Sequence, residues 1–223
     1  MIIDNTYFKN EIYIPHAKPS VNDEVVAVDI ELVSFINEYE RDCLIKCLGF
    51  SLFNEFLAVL DSTKPNGLVD GVNAKWNDLL NGKTYANSAG VQVAWRGIRF
   101  KSSKAEGAKP DVSFLANYIY WFYEQERETS NSGIGHVKEK SKNAENVSAS
   151  AKVIKAWRKF VLMVQGETKA PLIMENRYGY GIDWYQGGEE INLYRFINDM
   201  NATETIYANF TPKTWVTQNQ FGI

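Results

Sequence analysis

A chain of 223 residues with 45% hydrophobic and 13% aromatic content carries enough apolar side chain for one sizeable core, which excludes wholesale disorder. The formal net charge of -3 hides two opposed blocks: nine acidic residues against Arg41 and Lys46 between positions 23 and 61, and seven basic residues against Glu139 and Glu145 between positions 134 and 160. No apolar run approaches membrane-spanning length, and the first residues lack the basic flank and apolar stretch of a signal peptide, so a soluble protein kept in a reducing compartment is expected.

Residues 1–28 read as an extended arm, laid either on its own domain or on a neighbour. Ile12-Tyr13-Ile14-Pro15 is a candidate edge strand, since proline cannot donate to a central ladder. From Asp29, read as an N-cap, Leu32, Ile36, Tyr39, Cys43 and Cys47 recur at helical spacing, with Val33, Leu44 and Leu48 widening the stripe. Cys43 and Cys47 lie four apart, which suits two small buried hydrophobes better than a disulfide. Gly49 reads as a left-handed helix end, and Ser51 as the cap of a second helix burying Leu52, Phe53, Phe56, Leu57 and Leu60. Pro65, Asn66, Gly67 and Gly71 mark a loop. Asn73 caps a short helix with Trp76, Leu79 and Leu80 inward, stopped by Gly82. The chain is expected to turn over residues 85–90, after which Val91, Val93 and Trp95 alternate as a half-buried strand, followed by a solvated loop over 101–109.

The rest is organised around residues 110–160. Pro110-Asp111 opens a helix over 111–128, with Leu115, Ile119 and Phe122 along one ridge and Phe114, Tyr118 and Trp121 along the next. So wide an apolar surface predicts the central helix of the core. Residues 129–150 are polar, with Gly133 and Gly135, and read as a β-hairpin, a loop, or a segment ordered only by a partner. A helix over 151–165 turns Val153, Trp157, Val161 and Val164 inward and Lys152, Lys155, Arg158 and Lys159 outward. Regularity then falls away: Tyr178, Tyr180, Trp184 and Tyr185 interleave with glycines, a short helix over 190–200 buries Leu193, Phe196 and Ile197, and the tail passes through Tyr207, Phe210, Trp215 and Phe221. The predicted fold is mainly α: a bundle of four to five helices with a small β-hairpin or strand element and extended N- and C-terminal arms. Its parts are the arm 1–28, a helical core 29–165 with a flexible insertion at 129–150, and an aromatic-rich extension 166–223.

Catalytic constellations are scarce. With His16 and His136 as the only histidines, a triad or a multi-histidine metal site has few candidates. Gly133-Ile-Gly135 and Gly179-Tyr-Gly181 lack the third glycine of a dinucleotide fingerprint, and there is no phosphate-cradling loop of the Walker type. The carboxylate pairs Glu38/Glu40 and Glu189/Glu190 read as solvated faces, because near neighbours on a helix do not converge on a substrate. No enzyme activity, metal or cofactor is expected. The aromatics after residue 178 either cover the domain's own core or anchor in a partner. The basic stretch 138–159 is best read as a solvated face, with loose contact to DNA phosphates left open. The candidate subunit or partner interface is therefore Ile134, His136, Lys138, Lys140 and Lys142 together with Tyr178, Tyr180, Trp184, Tyr185, Trp215 and Phe221.

Several stretches fit a known pattern by their order. They are Tyr39-Glu-Arg-Asp-Cys-Leu-Ile-Lys-Cys-Leu-Gly49, Trp76-Asn-Asp-Leu-Leu-Asn-Gly82 with Tyr85, Trp95-Arg-Gly97, and Ser113-Phe-Leu-Ala-Asn-Tyr-Ile-Tyr120. Ser132-Gly-Ile-Gly-His-Val137, Leu193-Tyr-Arg-Phe-Ile-Asn198 and the ending Asn219-Gln-Phe-Gly-Ile223 follow. Over residues 30–223 the chain resembles the head–tail connector (neck adaptor or ring) proteins of tailed bacteriophages, especially those of crAss-like phages. The resemblance implies a helical adaptor that forms a ring below the portal, dodecameric to match it, and extends the DNA channel. Implied partners are further copies of the chain, the portal protein and other neck or tail proteins, with non-specific contact to genomic DNA and no membrane. It implies synthesis in the host bacterial cytoplasm, a final place in the virion, and no catalytic, metal or cofactor residue to carry over. Two readings compete: a carbohydrate- or peptide-binding module stacking its ligand on the C-terminal aromatics, and a small hydrolase with a carboxylate site.

Overall fold

Helical periodicity dominates the sequence, and helices dominate the computed structural model, which describes residues 1–14, 23–88, 90–100, 112–127, 130–132, 135–137, 150–166 and 189–216. The first helix, α1 (Asp23–Leu48), begins before the expected cap at Asp29 and buries the stripe Leu32, Ile36, Cys43 and Cys47 completely. The two thiols are unbridged, 3.9 Å apart, and burial pushes the Cys43 thiol well up. Gly49, at φ 85°, turns directly into α2 (Phe50–Leu57), so the cap is this glycine and not Ser51. Asn73 caps α3 (Ala74–Asn81) by accepting the Lys75 N–H at 3.0 Å.

A small sheet follows. Where a turn was expected, β1 (Lys83–Ala86) pairs antiparallel with β2 (Gln92–Trp95), setting Lys83 opposite Trp95 and Tyr85 opposite Val93. Its third strand is β5 (Glu189–Glu190), which returns to pair parallel with β2. Gly82 and Gly97, at φ 100° and 88°, make the junction of α3 with this sheet. A Cβ at Gly97 would come within 2.5 Å of the Leu80 carbonyl oxygen, and one at Gly82 within 2.7 Å of that of Trp95. This close crossing lets Ile98 and Arg99 donate their N–H groups to the Leu79 and Leu80 carbonyls, filling acceptors that a helix end leaves unmet.

The core helix is α4 (Phe114–Arg127), entered at Ser113; the expected start at Asp111 lies outside the described residues. The Ser113 hydroxyl accepts the Leu115 N–H at 3.1 Å and donates to the Ile98 carbonyl at 2.6 Å. Every residue from 113 to 120 is buried, as expected of a helix surrounded by other elements. It packs against both α1 and α5 (Ser150–Val164). Between α4 and α5 stands a hairpin of β3 (Ser130–Ser132) and β4 (Gly135–Val137), with Asn131 opposite His136. The last helix, α6 (Leu193–Glu204), is capped by Asn192 and turns Leu193, Phe196, Ile197 and Met200 into the core. The fold is mainly α with small β elements.

The N-terminal segment differs from the extended arm expected. Residues 1–14 hold two 3-10 turns, Asn5–Tyr7 and Asn10–Ile12, and bury Ile2, Ile3, Tyr7, Phe8, Ile12 and Ile14. No edge strand forms at Ile12-Tyr13-Ile14. These apolar residues follow neither a helical nor a strand period, because short turns present them to the core one at a time.

Candidate partner interface

Two helices that share α4 as packing partner, α1 and α5, carry exposed charged side chains. On α1, Glu31 and Glu38 are exposed, while Asp42 pairs with Lys46 at 2.6 Å and accepts the Tyr118 hydroxyl at 2.6 Å. Tyr39 stacks on Phe122 with centroids 4.3 Å apart and donates to Glu126 at 3.0 Å. Burial, helped by Glu126, raises the Tyr39 phenol to about 12. On α5, Val153, Trp157, Phe160, Val161 and Val164 face inward, whereas Lys152 and Arg158 are exposed. Lys155 and Lys159 are engaged by Glu11 of the N-terminal segment, Lys159 at 3.7 Å. The bond from Lys155 holds the Glu11 carboxyl below its ordinary range. The basic face of α5 is thus partly answered within the chain, and Lys152 and Arg158 remain at its outer edge.

Two carboxylates read as solvated are buried. Glu40 is 9% exposed and accepts the N–H groups of Ile2 and Ile3; burial raises its pKa, with those two N–H bonds pulling the other way. Glu190 is 5% exposed and ion-paired to Arg96, whose Nε lies 2.8 Å from its carboxylate. No spacing rule could have found either partner, since Ile2 and Arg96 are distant in sequence and meet these acids only through the fold.

The expected interface residues divide sharply. Ile134, Lys138, Lys140, Lys142, Tyr178, Tyr180, Trp184, Tyr185 and Phe221 lie outside the described residues, and His136 is placed only as a backbone position on β4. Trp215 is described, and it corrects the expectation: it is 6% exposed and belongs to its own core. Its ring meets Phe160 edge-on at 4.8 Å and Trp157 at 5.8 Å, its Nε1 donates to the Tyr194 hydroxyl at 2.9 Å, and its N–H and C=O are both bonded to the Gln165 side chain. Tyr207 is likewise buried, with its hydroxyl donating to the Lys75 carbonyl at 2.6 Å. In these two aromatics the tail covers its own domain.

Exposed apolar surface occurs instead on α2. Phe50 is 63% and Leu57 46% exposed; seven residues apart, they share one face of the helix. Leu57 was expected inside, but α2 is too short to bury both of its sides. Among the described residues no group of His, Cys, Asp and Glu is placed to hold a metal ion, and no helix is long and apolar enough to cross a membrane. No protein-family model, curated protein or solved structure matches the chain.

Proposed function

We propose that this chain is a structural adaptor of a phage virion, closing into a ring in the neck between portal and tail and lining the DNA channel. The observation that carries the reading is the uneven placement of charge: outward acids Glu31 and Glu38 beside one outward base, Arg41, on α1, and outward bases Lys152 and Arg158 on α5, with α4 packed against both helices. Head-to-tail ring closure requires two different, mutually complementary faces on every subunit. Opposite charges on such faces guide encounter and fix register more than they add affinity. The exposed Phe50 supplies an apolar contact for such a face, and the order of sequence stretches resembling neck connectors points the same way. Bases at the channel side would meet genomic DNA through phosphates, without sequence preference. The role is architectural, in a protein made in the host cytoplasm and carried in the virion.

The test is co-sedimentation with the portal protein encoded in the same genome, followed by electron microscopy of the bound fraction. Ring-shaped density stacked on the portal is the expected result. No association across a range of salt concentrations overturns the assignment to a portal-bound ring.

A further inference from the structure

A groove of about 780 Å³ runs between residues 1–4, the middle of α1 and the turn over 60–67, and Arg99 lies in its wall. Arg99 is 8% exposed, yet no carboxylate among the described residues stands within ion-pair distance of it. Its Nε donates to the Asn81 side-chain oxygen at 3.1 Å and one terminal nitrogen to the Pro65 carbonyl at 3.1 Å, both neutral acceptors. A guanidinium carries five N–H donors and keeps its charge when buried, so this arrangement leaves a positive group unanswered.

The nearby acids are already engaged. Both oxygens of Glu40 accept backbone N–H groups of Ile2 and Ile3, and Asp4 accepts the N–H of Thr6 at 2.8 Å. The guanidinium is also clamped: a Cβ on Gly67 would lie 2.7 to 2.9 Å from three of its atoms, so the turn closes directly over it. A fork fixed in this way is organised in advance for a planar carboxylate. Along the same groove stand Leu57 and Leu60, and Arg41, which lies over the Phe53 ring at 6.0 Å. The space exceeds what a lone small anion fills and matches ligand clefts of mixed apolar and polar lining.

We propose that this groove docks an extended acidic segment of a partner protein, with one Asp or Glu side chain pairing with Arg99 and its apolar neighbours resting on Leu57 and Leu60. The buried, unanswered charge selects a carboxylate, and the leucines select a peptide over a free ion. This site does not depend on ring formation, and it is tested on the full chain without any portal.

The probe is acetyl-Leu-Glu-Leu-amide at millimolar concentration, with acetyl-Leu-Gln-Leu-amide and inorganic phosphate in parallel, read by NMR of the arginine side-chain N–H signals. The glutamate peptide is expected to shift the Arg99 signals saturably, with the glutamine peptide about tenfold weaker or more. Because Arg99→Gln removes the bond to the Pro65 carbonyl that holds the 60–67 turn and the bond to Asn81 on α3, Leu57→Glu on the groove rim serves as the second variant. It should keep the fold and abolish binding of the glutamate peptide. Equal binding of both peptides, no shift at Arg99, or phosphate acting as strongly as the glutamate peptide would each overturn the proposal.

Discussion

Ile2 donates its backbone N–H to both carboxylate oxygens of Glu40, at 2.9 and 2.8 Å, across 38 residues of sequence. Ile3 adds a third bond at 3.1 Å. A single buried acid on α1 therefore meets the backbone donors of a segment whose short turns leave them without partners of their own. Replacing Glu40 by Ala strands those N–H groups and should lower stability by about 2–3 kcal/mol. Urea unfolding measures the loss, and limited proteolysis within residues 1–14 should quicken in parallel. Unchanged stability and cleavage would refute the anchoring role.

The same carboxyl makes stability depend on pH. Burial raises the folded-state pKa of Glu40 above its ordinary value of 4.5, so the native state holds the proton more tightly than the unfolded chain. This contribution is fully present below about pH 4.5 and is lost as pH rises through the raised value. Glu40→Gln should flatten that part of the stability profile, whatever its effect on absolute stability. Identical slopes for the two proteins just above pH 4.5 would contradict the linkage.

Much of the fold was legible because it repeats. The stripe Leu32, Ile36, Cys43 and Cys47, the ridge residues Phe114, Leu115, Tyr118 and Ile119 of α4 and the inward face of α5 follow the helical period and are buried as read, while Trp121 and Phe122 at the ridge ends are only partly covered. The β1 strand was missed because Lys83 to Ala86 is half exposed and holds no run of β-branched residues. With two residues, β5 has no period to detect. Glu40 and Glu190 were misread because a carboxylate's burial is decided by a partner far along the chain. Trp215 was misread for a related reason: outside a regular element, sequence cannot say which surface an aromatic ring covers.

Tyr118 joins α4 to α1 by polar contact as well as by packing. Its hydroxyl donates to Asp42 at 2.6 Å and accepts from Lys46 at 3.2 Å. Burial, then Asp42, pushes the phenol far above its ordinary range, so it stays protonated and donating. Tyr118→Phe should cost about 1–1.5 kcal/mol, read as a lowered thermal midpoint with helix content unchanged.

Trp215 closes an aromatic cluster with Tyr118, Trp157 and Phe160, all within 5.9 Å of its ring by centroid distance. Trp215→Ala should destabilise the chain by about 3–5 kcal/mol, the range for deleting a large buried side chain. A loss under 1 kcal/mol by chemical denaturation would return this residue to the partner surface.

Reversing Lys152 and Arg158 together to Glu tests the ring through its electrostatics. Both positions are exposed, so the monomer's unfolding midpoint should move little. Co-sedimentation with the portal should fall sharply, and Glu31→Lys with Glu38→Lys on the partner copies should restore it in mixed assemblies. Assembly indifferent to all four changes would sink the charge-complementary interface.

The strand pairing of β5 with β2 bears on how the chain comes to be folded at all. Val93 meets Glu189 only after nearly a hundred intervening residues, and the main chain at Thr211 and Lys213 bonds to the carbonyls of Leu48 and Lys46. Contacts this distant along the chain carry a high loop-closure cost and slow the search for the native state. During synthesis, α1, α2 and α4 must wait with apolar surface uncovered until residues 189–213 have left the ribosome. The fold is thus committed late along the chain, and assembly with any partner follows the emergence of this segment.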